Sequence, residues 1–157
     1  MKRATIGVSV SVNGQTRAAR VAATATLLDL LRGPIGLMGA KEACGVGECG
    51  ACTVLLDGEP AVSCLVLAAE VHDRAVVTIE HTTDARIARL RRAFSEEAAL
   101  QCGFCTPGMI LAASRLPPNA TAARIRAALA GNICRCTGYT KIVRAVQRAG
   151  RRRGASR

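Results

Sequence analysis

KEACGVGECGACTVLLDG, residues 41–58, decides how this chain must be built. Cys44, Cys49 and Cys52 fall within nine residues, with gaps of four and two, and Cys64 follows after eleven more. That spacing matches the plant-type pattern in which four thiolates hold a two-iron, two-sulfur (2Fe-2S) cluster. Gly45, Gly47 and Gly50 stand between the cysteines, where the loop must wrap a bulky anion and turn backbone N–H groups towards its sulfurs. A structural zinc ion is the alternative. Zinc favours two separated thiolate pairs, so the crowded triplet suits a cluster better.

Outward from this loop, the flanking residues read as a small mixed sheet. Ile6, Val8, Val10 and Val12 recur at period two, and Asn13-Gly14 supplies the positive φ angles of a tight hairpin turn. Thr26 with Asp29 forms a capping box for a short helix, Leu27 to Arg32, which Gly33-Pro34 ends. Beyond the loop, Thr53 to Leu56, the turn Asp57-Gly58 and Ala61 to Leu65 make a second hairpin that carries Cys64, and Val76 to Ile79 is a further strand candidate.

From residue 84 the period becomes helical, with Ile87, Leu90, Phe94 and Ala98 on one face. Thr106-Pro107 is the N-cap and first-turn proline of a helix over Gly108 to Leu116, closed by Pro117-Pro118. Thr121 caps another, Ala122 to Ala130, before Gly131, and a fourth runs from Tyr139 to Ala149. Four short helices imply a bundle. Within them lies a second quartet, Cys102-x2-Cys105 and, 28 residues later, Cys134-x-Cys136. Cys105 and Cys136 each precede a helix N-terminus, whose partial positive charge favours a dianionic cluster. A one-residue gap between ligands is tight for tetrahedral zinc, so iron is again the better match.

Of the 157 residues, 50% are apolar, enough for a body of radius roughly 15 Å that excludes a disordered chain. No apolar run approaches the roughly 20 residues of a membrane span, and the start alternates polar and apolar residues unlike a signal peptide, so a cytoplasmic protein is expected. In that reducing compartment eight thiols point to metal rather than to disulfides. The formal charge of +11 suggests an anionic partner. Two dianionic clusters would lower it to about +7. Only Phe94, Phe104 and Tyr139 are aromatic, too few for stacking nucleic-acid bases, so no nucleic acid is expected. His72 and His81 lack the pairing of a Rieske centre, Glu42 and Glu48 read as solvated loop carboxylates, and Met38 and Met109 as packing. The end, 151–157, is a basic tail expected to be disordered.

The stretches KEACGVGECGACTVLLDG, SCLVLA, QCGFCTPGMI and GNICRCTGY together resemble the iron–sulfur subunit of molybdenum hydroxylases. That family includes xanthine dehydrogenase, aldehyde oxidoreductase, carbon monoxide dehydrogenase and N-heterocycle oxidoreductases; GVGECGACTV is more similar to the xanthine and N-heterocycle members. The resemblance spans about residues 5–148. It implies an α+β chain: a ferredoxin-like β-grasp domain over 1–82 holding one 2Fe-2S cluster through Cys44, Cys49, Cys52 and Cys64, then a four-helix-bundle domain over 83–150 holding the other through Cys102, Cys105, Cys134 and Cys136. The second cluster would lie near molybdopterin on a large partner subunit and the first nearer FAD on another, within a hetero-oligomer. Gln101 and Cys136 match positions close to the pterin. This chain would carry electrons and hold no substrate site. Two departures stand out. Ala43 replaces a usual glycine, which bears on the packing of the loop at Cys44, and His81-Thr82-Thr83 lacks another, which bears on the linker. Two other classes use the same cysteines. A stand-alone ferredoxin would not need the helical half, and a zinc-stabilised binding module would hold zinc in place of iron.

Overall fold

The computed structural model describes residues 4–151; the basic stretch 152–157 lies outside the described residues. Strands β1 (Thr5–Val12) and β2 (Gln15–Ala22) form the first hairpin, with Val12 paired to Gln15 across Asn13 and Gly14 at φ 52° and 80°. Helix α1 (Leu27–Arg32) follows, then β3 (Thr53–Leu56), β4 (Glu59–Val62) and β5 (Ala75–Val77). The sheet order is β2-β1-β5-β3-β4, with β1 and β5 parallel and the other neighbours antiparallel.

Helix α1 has six residues, too short to persist alone. Its Thr26–Asp29 capping box is present, and Leu27, Leu28, Leu30 and Leu31 are all buried against Val8, Val10 and Val12. Each fully buried leucine contributes about 2 kcal/mol, so tertiary burial holds the helix.

The helical half comprises α2 (Ala85–Glu96), α3 (Thr106–Ser114), α4 (Ala122–Ala128) and α5 (Thr140–Gly150). Asp84 caps α2 by accepting from the Arg86 and Ile87 N–H groups at 2.7 and 2.9 Å. Helix α3 is buried continuously from Gly108 to Ser114, because it sits between the other helices and the sheet. Strand β3 makes that junction. Its period of two sends Val54 and Leu56 into the core of the first half and Leu55 into the helical core with Ile87, Met109 and Ile142.

Several boundaries differ from the sequence expectation. Strand β4 starts at Glu59, directly after the Asp57-Gly58 turn, and ends at Val62, so Cys64 lies in the turn beyond the strand. Strand β5 spans Ala75–Val77 rather than Val76 to Ile79, and α4 ends at Ala128. Cys105, not Thr106, is the N-cap of α3; Thr106 is its first residue, with no side-chain cap. A short 3-10 turn, Ala68–Val71, was not expected at all. Among the described residues no helix is long and apolar enough to cross a membrane.

Candidate metal centres

In the first quartet, the loop 43–52 holds Gly45, Gly47 and Gly50 at φ 67°, 80° and 65°, the left-handed turns that let successive N–H groups converge. The Val46 and Cys49 backbone amides and the Cys49 thiol aim at the Cys44 sulfur and pull its pKa down to about 6. Burial and the neighbouring Cys52 thiol push Cys64 up to about 11. The four sulfurs thus stand as two pairs, Cys44 with Cys49 and Cys52 with Cys64. Ser63 makes the second pair possible: fully buried, it donates its hydroxyl to the Cys52 carbonyl at 2.7 Å and fixes the turn that carries Cys64.

The second quartet is also paired. Cys102 and Cys136 approach to 3.6 Å at the surface, and Cys105 and Cys134 pair beneath them. Burial and Cys134 push Cys105 up to about 12. Burial also acts against the Cys134 thiolate, but the Thr137 hydroxyl and N–H and the Cys136 amide outweigh it, so its pKa is lowered. Tyr139 locks this loop, its hydroxyl accepting from the Cys134 N–H at 2.8 Å and its backbone held at φ 66°. Gln101 donates to the Cys136 carbonyl at 3.1 Å, so the two residues matched to the pterin side stand together at one exposed corner; Phe104 and Ile133, close to the quartet in sequence, are also exposed.

The quartets meet through the main chain. The Ile133 N–H donates to the Cys49 carbonyl at 2.9 Å, which places the first loop one residue from Cys134. Asn132, buried, reaches across with Nδ2 to the Gly50 carbonyl at 2.9 Å and to Thr53 Oγ1 at 3.2 Å. Sequence reasoning missed Ser63 and Asn132, since neither is a ligand type; only their nearness to the cysteines marked them. Loss of the Asn132 amide should cost about 1–3 kcal/mol. Asn132→Asp should be worse than Asn132→Ala, because it sets a carboxylate against the Gly50 carbonyl. Urea midpoints of the two variants check this order, and equal stability to the parent contradicts it.

The donors fit two-iron clusters. Each iron of such a cluster takes two protein thiolates, and pairs are what the fold presents. The histidines and acids considered from sequence stand apart. His72 is exposed and its Nδ1 accepts from the Ser9 N–H at 3.2 Å, His81 meets Thr83, and Glu42 and Glu48 are exposed. Met109 is core and Met38 is half exposed.

Paired thiols on a strand-and-loop unit joined to four helices define a protein of the two-cluster iron–sulfur class. Comparison with known families agrees. Residues 10–78 match a 2Fe-2S iron-sulfur cluster binding domain, and residues 78–147 match a second [2Fe-2S] binding domain. The chain is 43% identical to the nicotinate dehydrogenase small FeS subunit of Eubacterium barkeri, over 92% of this chain and 94% of that one. It is 40% identical to the xanthine dehydrogenase iron-sulfur-binding subunit of Escherichia coli O157:H7, over 90% and 92%. Quinoline 2-oxidoreductase from Pseudomonas putida 86 superposes with a TM-score of 0.86 at 37% identity, covering 93% of this chain and 94% of its own. The chain belongs to the family of small iron–sulfur subunits of molybdenum hydroxylases.

Proposed function

We propose that this chain carries electrons from molybdopterin on a large partner subunit, through two 2Fe-2S clusters, towards FAD on another subunit or a further acceptor. In this reading residues 1–82 are a ferredoxin-like β-grasp domain holding one cluster on Cys44, Cys49, Cys52 and Cys64. Residues 83–150 are a four-helix domain holding the other on Cys102, Cys105, Cys134 and Cys136. The hetero-oligomer is cytoplasmic. Relatives named for nicotinate, xanthine and quinoline favour an N-heterocycle as substrate of the large subunit. When bound, each cluster takes one electron at a time, which divides a two-electron oxidation into single transfers.

The observation that carries this reading is the contact between the two cysteine loops, Cys49 C=O to Ile133 N–H at 2.9 Å, beside the exposed corner of Gln101 and Cys136. One quartet is presented to a partner and coupled by main chain to the other, as a fixed relay requires and a freely diffusing ferredoxin does not. The backbone amides at Cys44 and the Thr137 hydroxyl at Cys134 hold negative charge on sulfur, which favours bound iron and helps set its potential.

Affinity isolation of the tagged chain tests the reading. Molybdenum-containing and flavin-containing chains should accompany it. Cys136→Ser should lose one of two paramagnetic signals and weaken association with the molybdenum chain, while changes in the first quartet should leave that association intact. A monomer that never associates with either chain contradicts the proposal in favour of a free carrier.

A further inference from the structure

The charge of this chain is distributed unevenly. Residues 4–83 contain five Lys and Arg against eight Asp and Glu, whereas residues 84–151 contain twelve against three. All three acids of the helical half are engaged: Asp84 caps α2, and Glu96 and Glu97 each meet Arg148 at 2.9 Å. Among the described residues, Arg115 alone of the remaining cations of this half reaches an acid, Glu59 of the first half at 3.9 Å.

Five of the twelve gather in one place. A cleft of about 890 Å³ between α2 and the end of α5 is lined by Arg86, Arg89, Arg92, Arg148 and Arg151, with Glu96, already held by Arg148, as its one acid. Three of these follow one another at three-residue spacing along α2, where like charges oppose the helix. Among the described ion pairs Arg86, Arg89, Arg92 and Arg151 have no carboxylate. Arg86 donates to the Leu116 carbonyl, and burial with the like charges of Arg89 and Arg115 beside it lowers its pKa. Ala93, Pro118 and Ala149 supply apolar contact within the cleft. Such a mixture, small apolar surface among guanidinium groups, is that of a protein interface.

We infer that this cleft is a docking surface for an acidic segment of a partner subunit, whose carboxylates the arginines of α2, with Arg151 just past α5, grip. The inference rests on the reading of this chain as one subunit of a complex. Guanidinium groups spaced along α2 and at Arg151 match carboxylates spaced along a polypeptide, each taken in a two-pronged hydrogen bond. A base-stacking nucleic acid fits less well, because none of the three aromatic residues lines the cleft. The location also separates gripping from electron entry. Tyr139 at the start of α5 touches Cys134, while Arg148 and Arg151 lie at its far end, about 15 Å along the helix axis.

The test is association of the tagged, cluster-loaded chain with its co-produced partner subunits, measured at low and high salt. Arg89→Glu with Arg92→Glu should weaken association at least about tenfold and flatten its salt dependence. Visible absorbance and iron content should be unchanged, since both residues are exposed and outside the cysteine loops. Arg89→Lys with Arg92→Lys should restore part of the affinity. Unaltered association of the Glu variant overturns the docking inference alone. Loss of binding only to a short duplex DNA probe, with partner affinity kept, overturns it in favour of a nucleic-acid surface. Failure of the parent chain itself to associate removes the subunit reading, and the inference with it.

Discussion

Cys49→Ser should abolish one of the two paramagnetic signals of the reduced protein and stop reduction of flavin, while the molybdenum centre is still reduced by substrate. Cys49 has two roles in the structure. Its thiol pairs with Cys44, and its carbonyl accepts the Ile133 N–H that joins the first loop to the second. Serine keeps the backbone bond but replaces a soft thiolate with a hydroxyl of far higher pKa, so the first cluster should lose a ligand while the contact between the two loops survives. Partners of metal ligands alone alter affinity or activity by ~10–100-fold, and loss of the ligand itself should exceed that. The second quartet is untouched, so its signal should persist. Stopped-flow flavin absorbance with parallel EPR makes the measurement. Undiminished flavin reduction in this variant refutes the order in which the two clusters are used.

Gly108→Ala should destabilise the chain by about 1–3 kcal/mol through a single methyl group. Gly108 opens the buried run of α3, and a Cβ there would collide with the Gly50 carbonyl oxygen and stand 3.2 Å from Asn132 Nδ2. Neither neighbour can yield cheaply. Gly50 is itself left-handed and packed against the Gly131 carbonyl, and its own carbonyl accepts from Asn132, so the added methyl pushes the first cysteine loop away from the helices. For a chain of this length the loss corresponds to a fall in Tm of roughly 2–12 °C. The magnetic interaction between the two reduced clusters should weaken as the loops separate. Gly131→Ala is the control, because nothing lies within 4 Å of a Cβ there. A Gly108→Ala protein with the Tm and cluster coupling of the parent contradicts the role given to this contact.

Much of this was legible in the sequence because the signals were local. The Asn13-Gly14 turn, the Thr26–Asp29 box and the Thr121 cap each act within a few residues, and the structure shows the hairpin and both caps. The cysteine spacings are local in the same way, and the structure brings Cys102 to Cys136 and Cys105 to Cys134. What was hidden depends on residues far apart in the chain. The location of Cys64 in a turn follows from Ser63 bonding to Cys52, eleven residues away. The full burial of β3 follows from having a core on each face, which a four-residue run cannot announce. Asn132 is an ordinary polar residue until the fold brings it to Gly50, 82 positions earlier. The +11 charge misleads as a whole-chain number, because the two halves differ in sign and only their separation exposes the arginine cleft.

The central claim is that both cysteine quartets hold iron. Iron, acid-labile sulfide and zinc counted per chain in anaerobically isolated protein test it most directly. About four irons and about four sulfides with no zinc are expected, since each quartet is matched to one 2Fe-2S cluster. A colourless chain with zinc at either quartet, or with no sulfide after reconstitution, contradicts the account.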